Sequence, residues 1–230
     1  MGIEAIILLG APGAGKGTIA AAIAAATDYV HVSTGDMLRE AVRQGTELGR
    51  AAEACMKQGG LVPDDVIIKM VMDHLCQGSL DCRYVFDGFP RTLTQAELLD
   101  SHFKRIQAVL SSVLLLDVTR EVVLDRLTGR RVCRKCGAIF HIRNLPPKQP
   151  GVCDVCGGEL VQRPDDKQET IINRLDVFQR QTESLIAYYD RRGLLLRVNS
   201  SRQKDEIVAD ILAMLTPTSS SEASRVSGAS

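Results

Sequence analysis

The chain has 230 residues, 28 basic and 28 acidic side chains, and a formal net charge of zero. That length buries a sizeable core with room for insertions, and the charge balance supplies no overall field for nucleic acid or an acidic membrane. With seven cysteines, no basic leader and no apolar run of membrane-spanning length, the reading is a soluble, cytoplasmic protein whose thiols are buried or bind metal.

In chain order, the apolar run 5–9 predicts a buried strand and the Ala-rich run 19–26 a helix. Between them lies GAPGAGKGT, residues 10–18. Strand, glycine loop and helix form the context of a phosphate-binding loop: Gly13, Ala14, Gly15 and Gly17 let backbone N–H groups approach phosphate oxygens, and Lys16 adds a charge. The strict pattern wants Ser or Thr after the lysine; here Gly17 stands there and Thr18 follows. Further strands are expected at 29–32, 84–87, 113–118 and 194–198, with helical runs at 65–76, 94–103 and 168–190. This alternation predicts an α/β fold with a parallel sheet between helices, and ligands beyond the carboxyl ends of its strands. Two stretches, 35–63 and 129–164, break the rhythm and read as insertions, and the Ser-rich tail from Thr216 reads as disordered.

The second insertion holds Cys133-x2-Cys136 and Cys153-x2-Cys156, each pair followed by glycine. Such spacing matches a two-pair zinc site, and four thiolates close the tetrahedron, so the role is structural. Four unligated thiols or two disulfides are the competing readings. His141 is surplus to this set and reads as a packing or surface residue, and Cys55, Cys76 and Cys82 as ordinary thiols. Asp87 ends a predicted strand beside the loop, where a carboxylate would hold magnesium. Gly88 and Pro90 shape a turn that aims Arg91 inward. Arg39 opens the first insertion, Arg163 closes the second, and Arg174 lies on the next helix. Arg126 and Arg130, four apart, share a helical face if that helix runs far enough. Phosphoryl transfer needs such fixed guanidinium groups.

These segments, with STGDMLR, DGFPRT, LTGRRVC and RPDD, resemble the adenylate kinase family in its long-lid, zinc-containing form, over nearly the whole chain except the tail. The resemblance implies a P-loop three-layer fold with a five-stranded parallel sheet: a core of 1–33, 64–128 and 165–215, an AMP-binding unit at 34–63, and a zinc lid at 129–164. It implies reversible transfer from MgATP to AMP, giving two ADP, by a monomer with zinc in its lid and magnesium on the nucleotide. Gly13 to Thr18, Arg126 and Arg130 are then the ATP-phosphate contacts. Thr34, Arg39, Val62, Gly88, Arg91, Gln95, Arg163 and Arg174 serve AMP. Lys16, Arg91, Arg126, Arg130, Arg163, Arg174 and Asp87 carry the chemistry, and Asp165 and Asp166 steady arginines. A GTP-using relative is the alternative within kinases. A nucleic-acid-binding zinc ribbon fused to a nucleotide switch is the alternative outside them, and a basic net charge would favour it.

Overall fold

A computed structural model describes residues 2–76 and 82–215. The sequence expectation for the tail lies outside the described residues. Strand β1 (Glu4–Leu9) leads through the glycine loop into helix α1 (Lys16–Ala26) and strand β2 (Tyr29–Ser33). Helices α2 (Thr34–Arg43), α3 (Glu47–Gln58) and α4 (Asp64–Cys76) follow without an intervening strand. Ser33 starts α2 by accepting the Asp36 N–H, and Thr46 starts α3 by accepting that of Gly49. Strand β3 (Arg83–Asp87), helix α5 (Leu93–Arg105), strand β4 (Val109–Asp117) and helix α6 (Arg120–Gly129) continue the alternation. The cysteine unit contributes β5 (Arg130–Cys133), β6 (Ile139–His141) and β7 (Leu160–Val161), three antiparallel strands in the order β6-β5-β7. A 3-10 turn (Pro164–Asp166), helices α7 (Gln168–Val177) and α8 (Ser184–Asp190), strand β8 (Leu195–Asn199) and helix α9 (Lys204–Leu215) complete the order.

The main sheet is five-stranded and wholly parallel, in the order β2-β3-β1-β4-β8. Alternation along β1 shows why its strands are apolar throughout. Ile7 and Leu9 join Phe86, Leu99 and Tyr189 on one face, while Ile6 and Leu8 join Ile19, Ile23 and Ile211 on the other. The cysteine unit keeps a small core of its own, built on Cys133, Phe140, Cys153 and Leu160.

Two expectations need correction. Arg126 and Arg130 do not share a helical face: α6 ends at Gly129, and Arg130 turns to an extended backbone at the start of β5. Gly129, the last helical residue, lies so close to His141 that a Cβ there would stand 2.2 Å from Nε2, so this position needs glycine where that ring packs. The run 168–190 is not one helix either, because a π turn at Phe178–Thr182 separates α7 from α8. The remaining predicted strands hold, with β4 beginning four residues earlier than the apolar run suggests.

Candidate active site

All five parallel strands end on one rim, and Leu8, Ser33 and Asp87 lie in register there. The glycine loop turns over this rim with Gly13 and Gly15 in the left-handed region, at φ 80° and 98°. Gly15 caps α1 with no side-chain hydrogen bond, leaving first-turn N–H groups for an anion. Lys16 Nζ donates to the carbonyls of Gly10 and Ala11 at 2.8 and 3.0 Å. Burial pushes its ammonium down to about 8; Asp87 opposes that, and Arg91 adds to it. At Gly17 a Cβ would stand 3.0 Å from Asp87 Oδ2, so a larger residue there would crowd that carboxylate. Burial pushes the Asp87 carboxyl up, but His31, 3.7 Å from Oδ2, and Lys16 outweigh it and hold it below the usual range.

Lys16, Thr34, Arg39, Val62, Gly88, Arg91, Gln95 and Arg174 line one cleft beneath the loop. The turn after β3 carries a cis peptide between Phe89 and Pro90. The Gly88 carbonyl accepts from Thr34 Oγ1 at 2.9 Å and from Arg91 Nε at 2.8 Å. The Arg91 N–H donates to Gln95 Oε1 at 2.7 Å, and its carbonyl accepts from Thr182 Oγ1 at 2.9 Å. Burial, and then the neighbouring Arg174, push the Arg91 guanidinium down to about 10. Arg91 is thus a strongly desolvated cation held on three sides.

The other arginines rest on carboxylates. Arg130 donates two parallel bonds to Asp166, at 2.8 and 2.6 Å, and Asp166 is fully buried. Arg174 reaches Asp165 Oδ2 at 2.9 Å. Arg39 pairs with Asp36 at 2.6 Å, and Arg163 approaches the same carboxylate at 3.8 Å from the end of the cysteine unit. Arg163 Nε is buried with no hydrogen-bond partner among the described residues, and burial followed by Arg39 pushes its guanidinium down to about 10. Arg126 stands apart from this group. It donates to the Ala14 carbonyl at 3.3 Å and the Ser200 carbonyl at 2.7 Å, while the buried Ser200 hydroxyl also donates to Ala14. Sequence reasoning singled out none of Asp36, Asp64, Thr182 and Ser200. Asp36 sits inside the STGDMLR segment, three residues before the Arg39 it holds. Asp64, Thr182 and Ser200 reach Gln95, Arg91 and Arg126 from distant segments, and no motif marks them.

The four cysteines form a separate cluster whose sulfurs all lie within 4.8 Å of one another. Cys133 and Cys156 are 3.5 Å apart, and Cys136 and Cys153 are 3.6 Å apart. Thiolates around one tetrahedral ion stand about 3.8 Å apart, so the set fits a metal. The two knuckles match: the N–H groups of Gly137 and Gly157 return to the carbonyls of Cys133 and Cys153, both glycines with positive φ. At Gly158 a Cβ would stand 2.9 Å from Cys133 Sγ, so the cradle needs glycine. His141 lies outside the cluster. Its Nδ1 accepts from the N–H groups of Arg143 and Asn144, and Nε2 lies 3.1 Å from the Asp125 carbonyl, so it packs the end of α6.

A family model described as adenylate kinase matches residues 8–194. The chain belongs to the adenylate kinase family. An adenylate kinase of Moorella thermoacetica is 51% identical over 211 residues, covering 91% of this chain and 95% of that protein. One of Clostridium tetani is 46% identical over 212 residues, covering 91% and 97%. Another, of Desulforudis audaxviator, is 47% identical over 210 residues, covering 91% and 98%. The protein is therefore an enzyme, and its chemistry is adenylate kinase-type phosphoryl transfer among adenine nucleotides. Among the described residues, no helix is long and apolar enough to cross a membrane.

Proposed function

We propose that the enzyme transfers the terminal phosphoryl group of MgATP to AMP, reversibly, giving two ADP. One observation carries this reading: Lys16 of the phosphate loop and the half-buried, desolvated Arg91 line the same cleft. Donor phosphates would lie on the N–H groups of Gly13 to Thr18, with Lys16, Arg126 and Arg130. Acceptor phosphate would lie between Arg39 and Arg91, with Arg163 and Arg174 spanning the gap. Thr34, Val62, Gly88 and Gln95 would receive the acceptor base, Thr34 and Gly88 being bonded to each other and Gln95 buried at the cleft wall. Magnesium, bound near Asp87, would neutralise charge on the donor phosphates when present. Asp87 fits that place because its carboxylate stands at the strand end beside Gly17.

An AMP phosphate is already an anionic nucleophile, so the residues position and neutralise rather than abstract a proton. Asp165 and Asp166 hold arginines until phosphates replace them. On this reading 34–63 forms the AMP unit, 129–164 the lid, and the rest of the described chain the core. Closure of both over the cleft excludes water from the transfer. The four thiolates fit a structural zinc with no open position, and thiols of this kind suit a reducing, cytoplasmic setting. A monomer suffices, since every group named comes from one chain.

The test is a coupled assay of ADP formation from ATP and AMP, with and without magnesium, repeated with GTP as donor, UMP as acceptor, and the variant Arg91→Ala. Expected are strict magnesium dependence, preference for ATP and AMP, and a loss of about a thousandfold or more in kcat/KM for Arg91→Ala, as for removal of a buried charge contact made at the reacting group. Wild-type turnover by folded Arg91→Ala would overturn the site.

A further inference from the structure

Gln95 is 1% exposed, yet its side-chain amide lines the cleft. Both ends of that amide are already bonded. Oε1 accepts the Arg91 N–H at 2.7 Å, and Nε2 donates to Asp64 Oδ1 at 2.7 Å. The partners leave no freedom of assignment: a backbone N–H only donates, and a carboxylate oxygen only accepts. Reversing the amide would set two donors against each other at Arg91 and two acceptors against each other at Asp64. Asp64 is itself fixed, since its second oxygen accepts from Thr92 Oγ1 at 2.9 Å and it lies at the first turn of α4.

We propose that Asp64, together with the Arg91 N–H, sets the base specificity of the acceptor site by fixing which way round the Gln95 amide lies. The proposal rests on the reading of Gln95 as the acceptor-base contact. After its two internal bonds, the amide keeps one N–H and one oxygen lone pair. In the fixed orientation these meet an edge that offers an acceptor and an amino donor in the adenine order. A 6-oxopurine presents the opposite order, a carbonyl oxygen at position 6 and an N–H at position 1. A freely turning glutamine would serve both kinds of base. A locked one rejects the wrong base, because polar groups would be left buried and unpaired. Asp64 touches no reacting atom; it is a specificity-determining residue that acts through Gln95.

The test compares AMP with inosine monophosphate as acceptor, at saturating MgATP, in the full-length enzyme. Asp64→Asn is nearly isosteric and can turn either an oxygen or an NH2 towards Gln95. Its kcat/KM for inosine monophosphate relative to AMP should rise about tenfold, one unmade buried hydrogen bond, with KM for ATP unchanged. Asp64→Ala, which removes one of the two constraints, should move the ratio the same way by less, and serves if Asp64→Asn does not fold. Gln95→Leu separates the underlying reading from the proposal: it should abolish discrimination between the two acceptors. If Gln95→Leu changes the ratio and the folded Asp64 variants do not, the lock is refuted. If Gln95→Leu leaves the ratio at its wild-type value, Gln95 does not read the base and the proposal falls with that reading.

Discussion

Lys16 illustrates how the site trades stability for binding. Its ammonium is held at about 8 by burial, against an ordinary value of 10.5. Below pH 8 the folded state must carry a charge it disfavours. Between about 8 and 10.5 the unfolded chain keeps the proton that the folded chain has lost, so this group's contribution to stability rises with pH. Lys16→Met removes that dependence, while the two lost hydrogen bonds to Gly10 and Ala11 are a constant offset. The difference in Tm between Lys16→Met and the ligand-free wild type should therefore fall steadily from pH 8 to 10.5, measured by calorimetry. A flat difference would mean that Lys16 is not desolvated. The glycine loop and Arg91 were legible in the sequence because local spacing dictates them. The close approach of Gly17 to Asp87 was not, because Asp87 is seventy residues away in the chain and adjacent only after β1 and β3 pair.

Elements, rather than residues, set how the cysteine unit behaves. It has its own three-stranded sheet and a core separate from the two that cover the main sheet. So small a core offsets little of the entropy of ordering its chain, and a metal held by the four thiolates would supply the difference. Chelation, or Cys153→Ser, should lower metal content and inactivation temperature together. Hydrogen exchange should then speed up in β5, β6 and β7 while β1, β3 and β4 stay protected. Uniform loss of protection would show that the unit is not thermally independent. Cysteine spacing announced this unit, and strand alternation announced the sheet. The π turn did not show in sequence, because its residues continue a helical pattern; its effect appears only where Thr182 meets the Arg91 carbonyl. The need for glycine at the end of α6 was likewise hidden, since His141 packs against Gly129 from twelve residues on.

Across the whole molecule, zero net charge conceals a local imbalance. Lys16, Arg39, Arg91, Arg126, Arg130, Arg163 and Arg174 outnumber the carboxylates named with them, Asp36, Asp64, Asp87, Asp165 and Asp166. Attraction for polyanions is therefore short-ranged, and salt should weaken it. Raising potassium chloride from about 0.05 to about 0.3 M should lower kcat/KM for both nucleotides, since a Debye length falls below 10 Å over that range. Salt independence at unchanged Tm would place the cations out of the substrates' reach. Asp87 stands at the rim where the parallel strands end, and the loop bearing Lys16 leaves that same rim after β1. The opposite rim is closed by Arg83, which bonds Glu4 at 2.9 Å, Asp28 at 3.0 Å and the Tyr29 hydroxyl at 2.8 Å, with its guanidinium over the Tyr29 ring. A strand of five residues separates the two rims by roughly 16 Å. Asp28, outermost of that set, is thus a natural handle: a dye, a surface tether or a pulling linker fixed there leaves the mouth of the cleft open to nucleotides.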